Sequence, residues 1–137
     1  MRTLNSVKIV ESFFETVWNG KNPNAIDQFV VDDFIITTGG IDIATKERFK
    51  EWVTQFLVKI SDFNLEILES FQNEDGSRVA SRWRITGKNN GVMETPADQR
   101  PITFTGTAVW EVNKEGKLLH NWVERSFWEL HQYLNEK

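Results

Sequence analysis

The sequence predicts an α+β domain, with amphipathic helices packed on one face of a mostly antiparallel sheet. Three observations lead there. Apolar residues recur at helical spacing through much of the chain up to Ile60. After Ser61-Asp62 the apolar period changes to two. Turn residues at Asn73-Glu74-Asp75-Gly76, Asn89-Asn90-Gly91 and Asn113-Lys114-Glu115-Gly116 then divide the rest into four strands joined in series.

The first helix carries Leu4, Val7, Val10, Phe14, Val17 and Trp18 on one stripe, with Phe13 beside it. Asn19-Gly20 marks its end, because glycine readily takes the left-handed conformation there. Asn22-Pro23 supplies an N-cap and a proline at the first helical position of a short helix bearing Ala25, Ile26 and Phe29. Asp32-Asp33 then precedes a short strand, Phe34-Ile35-Ile36-Thr37-Thr38, which stops at Gly39-Gly40. Thr45 can cap a third helix. Phe49, Trp52, Val53, Phe56, Leu57 and Ile60 share one face of it, and Lys46, Glu47, Lys50 and Glu51 cover the other.

Of the four strands, the first runs from Phe63 to Phe71, with Phe63, Leu65, Ile67 and Phe71 on alternate positions. The second, from Arg78 to Lys88, puts Val79, Ser81, Trp83 and Ile85 on one face and Ala80, Arg82, Arg84 and Thr86 on the other. The third, from Ile102 to Val112, aligns Ile102, Phe104, Gly106, Ala108, Trp110 and Val112. The last starts near Lys117 and runs toward Trp128. The order is αα-β-α-ββββ. A meander of this kind is largely antiparallel, and the helices must cover its apolar face. With no repeat and no linker, residues 1–137 read as one domain.

Composition narrows the function. The chain lacks cysteine, which removes disulfides, thiolate metal sites and cysteine nucleophiles. Its net charge is −4 with basic residues scattered, so a nucleic-acid partner is not expected. No apolar run has the length of a signal-peptide core or of a membrane span, which points to the cytoplasm and away from the membrane. His120 and His131 are the only histidines and stand apart from any carboxylate cluster, so no metal is expected. Neither a phosphate-binding glycine loop nor a nucleophile elbow occurs, and no cofactor is expected. Six tryptophans and ten phenylalanines are many for this length. They make either extra core mass or the wall of an apolar cavity.

Several patterns taken in order resemble a known family. They are Trp18-Asn19-Gly20-Lys21-Asn22, Ala25-Ile26 with Phe29, Asp33-Phe34, Arg82-Trp83-Arg84-Ile85-Thr86-Gly87, and Ile102-Thr103-Phe104-Thr105-Gly106-Thr107. Gly116-Lys117-Leu118-Leu119-His120-Asn121-Trp122 and Leu130-His131-Gln132-Tyr133-Leu134 complete the set. Together they resemble the SnoaL-like polyketide cyclases of the nuclear transport factor 2-like superfamily. The resemblance implies a cone-shaped, curved sheet wrapped around the helices, with an apolar pocket at its open end. It also implies a homodimer formed through the outer sheet face. Its cyclases close rings by aldol condensation without a cofactor, using an acidic residue on the last strand. In the family pattern a glutamate stands two residues before the last-strand tryptophan and an aspartate four after it. Aligned on Trp122, those positions hold His120 and Ser126.

Strict alternation places Leu118, His120, Trp122, Glu124 and Ser126 on one face of the last strand, and the resemblance makes this the pocket face. His120 is then the candidate base or hydrogen-bond donor to a carbonyl, the alternative being a structural histidine satisfied by a neighbouring strand. Glu124 is the candidate acid if desolvated, or else it pairs with Arg82 or Arg84 on another strand or reaches solvent. Four residues separate the two, about 13 Å along a straight strand. Trp18, Phe34, Trp52, Trp83, Phe104, Trp110, Trp122 and Ser126 are candidates for the ligand wall. The expected ligand is a small hydrophobic molecule. An enzyme for enolisation or ring closure, a non-catalytic binding module and a dimeric interaction domain all fit these features.

Overall fold

The computed structural model describes residues 5–136; Leu4, assigned above to the first helical stripe, lies outside them. Helix α1 (Ser6–Phe13) begins where the Asn5 side chain accepts a hydrogen bond from the Lys8 amide. It runs on into a π-helical turn, Phe14–Asn19, which buries Phe14, Val17 and Trp18. Gly20 keeps a right-handed backbone, and Lys21 takes the left-handed conformation instead, at φ 51°. A 3₁₀ turn (Pro23–Gln28) leads to β1 (Val30–Thr38), β2 (Ile41–Ala44) and α2 (Lys46–Val58). Thr45 caps α2 by accepting from the Arg48 amide at 3.3 Å. The strands β3 (Ile60–Gln72), β4 (Arg78–Asn89), β5 (Pro101–Val112) and β6 (Leu118–Arg125) follow, and α3 (Phe127–Leu134) closes the chain.

The six strands form one curved, unclosed sheet in the order β2-β1-β6-β5-β4-β3. Neighbours from β6 to β3 pair antiparallel, as the turn signals require, but β1 pairs with β6 in parallel. Two elements go beyond the sequence reading. Strand β2 exists because Gly39 and Gly40 both take positive φ, 59° and 78°, and so make a two-residue hairpin joining Thr38 to Ile41. The last strand ends at Arg125 instead of reaching Trp128. Ser126 then begins α3, which buries Leu130 and Leu134 one turn apart.

Curvature comes from register shifts. Strand β3 bulges between Ser61 and Asn64 and again between Ile67 and Glu69, and β1 bulges between Val30 and Ile35. The concave face takes α1, its π turn and α2. On it the alternate residues of β4 and β5 are buried, including Val79, Trp83, Ile85, Ile102, Phe104 and Trp110. Trp110 lies at the centre, its ring 5.1 Å from Phe13, 5.8 Å from Phe14 and 6.4 Å from Phe34. Asn19 pins the end of the π turn to β3, accepting from the Leu65 amide at 2.7 Å and donating to its carbonyl at 2.9 Å. Among the described residues no helix is long and apolar enough to cross a membrane.

Candidate functional site

The inner face of β6 decides the site. Leu118 points inward, but the β5–β6 register shifts between Glu111 and Val112, so that Glu111 faces His120 while Val112 faces Leu118. One extra residue in β6 moves every later side chain to the opposite face. Asn121, Val123 and Arg125 therefore face inward, and His120, Trp122 and Glu124 face out.

The inward three meet a cavity walled by Phe14, Trp18, Ile36, Phe49, Phe56, Leu65, Trp83 and Ile85. Its free volume is about 20 Å³, room for a single water. Three buried polar atoms on this wall have no hydrogen-bond partner among the described residues: Asn121 Oδ1, Trp83 Nε1 and Arg125 Nε. Such orphans are uncommon, and each costs about 1–3 kcal/mol. Arg125 spends its Nη1 on Thr38 Oγ1 at 2.5 Å. Its guanidinium carbon lies 5.1 Å from the Trp52 ring, 5.4 Å from Phe56 and 5.7 Å from both Trp83 and Phe127. Burial pulls this guanidinium down to about 10, and the neighbouring Glu124 only partly offsets it.

Trp83 can lie against the sheet because its cross-strand partner is Gly106. A Cβ there would stand 2.2 Å from the Trp83 ring, so any larger residue displaces the cavity wall. Trp18 holds its place by stacking on Phe63 at 5.7 Å and meeting Trp52 edge-on at 6.1 Å.

The predicted wall residues divide. Trp18 and Trp83 line the cavity, and Trp52 flanks it through Arg125. Phe34, Phe104 and Trp110 are buried core next to it without lining it. Trp122 and Ser126 stand outside. Trp122 is 38% exposed on the convex face, and Ser126 accepts from the Thr105 amide at 2.9 Å where β6 ends. His120 stacks on Trp122 at 3.8 Å and donates from Nε2 to Thr37 Oγ1 at 2.8 Å, since that hydroxyl donates to Asp42 at 2.6 Å. Burial lowers its pKa, Asp42 and Glu111 pull the other way, and Arg78 adds to the lowering. Glu124 is exposed, and the arginines considered for it are taken by β3: Arg82 pairs with Glu69 at 2.6 Å and Arg84 with Glu66 at 3.1 Å. The placement of His120 and Glu124 on the pocket face is thus corrected by the β6 bulge.

A model of the SnoaL-like domain matches residues 10–121. The chain belongs to the SnoaL-like domain family. Solved structures share the fold at low identity. A Jannaschia protein described as a SnoaL-like polyketide cyclase superposes with a TM-score of 0.86 at 10% identity, covering 96% of this chain and 92% of that one. TsrD from Streptomyces laurentii gives 0.83 at 15%, covering 98% of each chain. A SnoaL-like polyketide cyclase from Agrobacterium tumefaciens gives 0.79 at 16%, covering 98% of this chain and 100% of that one. No curated protein matches the sequence.

In this SnoaL-like domain the residues missed by sequence reasoning are Asn121 and Arg125. Arg125 carried a partial signal: it is the one basic side chain between Leu118 and Trp128 apart from the histidine, three positions after Trp122. Which face it took depended on the bulge.

Proposed function

We propose that this SnoaL-like domain binds a small apolar ring compound and receives one of its oxygens between Asn121, Trp83 and Arg125. One observation supports it above all. Three orphan polar atoms sit on the wall of a single aromatic cavity, where plain packing would favour apolar atoms. An oxygen there can accept from the Trp83 and Arg125 N–H groups, and a hydroxyl or enol can also donate to Asn121. In the ligand-free protein the space suits one water, which the ligand oxygen replaces. The ring itself enters only if the half-buried side chains of Trp52, Phe56 and Phe127 swing aside.

Binding without turnover is the function this geometry favours. Among the described residues no carboxylate or imidazole lines the cavity, so abstraction of a carbon-bound proton lacks a base there. A cyclase or isomerase role draws its support from the family and from the donor pair, which could stabilise a developing oxyanion.

Thermal unfolding with 2-naphthol and 1-tetralone tests the proposal, on the wild type and on Asn121→Leu. The expected result is stabilisation of the wild type by both compounds. In the variant, 2-naphthol, whose hydroxyl alone can donate to Asn121, should bind roughly tenfold more weakly, about 1.4 kcal/mol. Asn121→Leu itself should unfold no earlier than the wild type, because it removes an unsatisfied buried oxygen. Absence of any shift with either compound would sink the proposal.

A second copy of the chain is the partner we assign to the convex face. Val109 and Trp122 are cross-strand neighbours there, each 38% exposed. Sedimentation should show a dimer that Trp122→Glu converts to a monomer; a monomeric wild type removes the assignment.

A further inference from the structure

We propose that Arg125 is a carboxylate receptor, so that the ligand of the inner cavity is a flat, apolar monocarboxylate. The proposal rests on the ligand-binding function above and adds the charge of the ligand.

Arg125 is a cation with no carboxylate in contact with it among the described residues, Glu124 acting on it only from a distance. Among the described residues it forms no ion pair, and the cavity wall carries no acidic side chain. Its sequence neighbour Glu124 is exposed on the convex side of the sheet. Four aromatic rings surround the guanidinium at 5.1–5.7 Å. Ring faces attract a cation without cancelling its charge. A buried charge lacking a partner is costly, and an anion bound against it would relieve that cost.

The donor geometry selects the partner. Nη1 already donates to Thr38, while Nε is buried and donates to nothing. The edge formed by Nε and Nη2 is thus left for a two-point contact, the arrangement that fits the two oxygens of a carboxylate side-on. Nearby, the Trp83 Nε1–H is a further orphan donor, and a half-turn of the Asn121 amide presents its NH₂ in place of Oδ1. A single guanidinium balances one negative charge, and the surrounding rings of Trp18, Phe56 and Trp83 suit a planar apolar body. Phosphate esters, with more charge and a tetrahedral head, match this set less well.

Titration calorimetry with 2-naphthoate and 2-naphthamide, matched in shape and different in charge, separates the possibilities. The wild type should bind naphthoate about 10- to 100-fold more tightly than naphthamide, the range for hydrogen bonds to a charged group. Arg125→Met should abolish that preference while still binding naphthamide, and it should fold at least as stably as the wild type, since it removes an unpaired buried charge. Arg125→Gln provides a second variant in which the preference must also vanish. Equal binding of acid and amide by the wild type overturns the carboxylate assignment and leaves the pocket intact. So does a preference that survives in both variants. Failure of naphthoate, naphthamide and the neutral probes alike overturns both the assignment and the pocket.

Discussion

Trp110→Ala should lower the unfolding free energy by about 3–5 kcal/mol, a large share of the ~5–15 kcal/mol typical of a domain. Trp110 is fully buried and packs edge-on against Phe13 and Phe14 and tilted against Phe34. It joins α1, the π turn and β1 to the middle of the sheet. Truncation leaves a space that these rings cannot close without leaving their strands and helices. Denaturant unfolding followed by far-ultraviolet circular dichroism measures the loss. Trp110→Phe makes the contrast informative. It keeps a ring in place and removes an indole N–H that has no partner, so it should cost well under half as much. A cost below about 1 kcal/mol for the alanine variant would contradict the central position assigned to Trp110.

Asn89→Ala is the second large effect, expected to cost about 2–4 kcal/mol. Asn89 ends β4 and is 1% exposed. Its Nδ2 donates to Thr95 Oγ1 at 3.0 Å, the Pro96 carbonyl at 3.1 Å and Asp98 Oδ1 at 3.3 Å. Its Oδ1 accepts from the amides of Gly91 at 3.0 Å and Val92 at 2.8 Å. This one side chain thus ties both ends of the segment from Gly91 to Arg100, whose only regular element is the short 3₁₀ turn Val92–Glu94, to the end of β4. Alanine leaves two amides without their acceptor and releases the loop. Hydrogen exchange should show the protection of the Gly91 and Val92 amides lost, with the β4 and β5 ladders retained. If Asn89→Ala unfolds like the wild type and keeps those amides protected, the loop is held by other contacts.

Both effects follow from residues the sequence had already marked, Trp110 as one of the aligned apolar residues of its strand and Asn89 as a turn residue. For Asn89 the location was legible and the role was not, because a buried side-chain network depends on where the loop returns. The convex-face cluster shows the same limit. Thr37, Asp42 and His120 are joined only because β1 pairs with β2 on one side and β6 on the other.

By itself the sequence determined the helical segments that precede the four-strand meander, the core faces of β4 and β5 and the serial order of the antiparallel strands. These depend on local period and turn chemistry, which neighbouring residues specify. Tertiary structure alone decided the parallel β1–β6 pairing and the inner face of β6. A strand's pattern tells which residues alternate, but an inserted residue reverses which set faces the core. In β6 both sets are mixed: His120, Trp122 and Glu124 look as suited to a pocket as Asn121, Val123 and Arg125. The bulge opposite Glu111 and Val112 settled the choice, and with it placed Arg125 instead of His120 at the cavity.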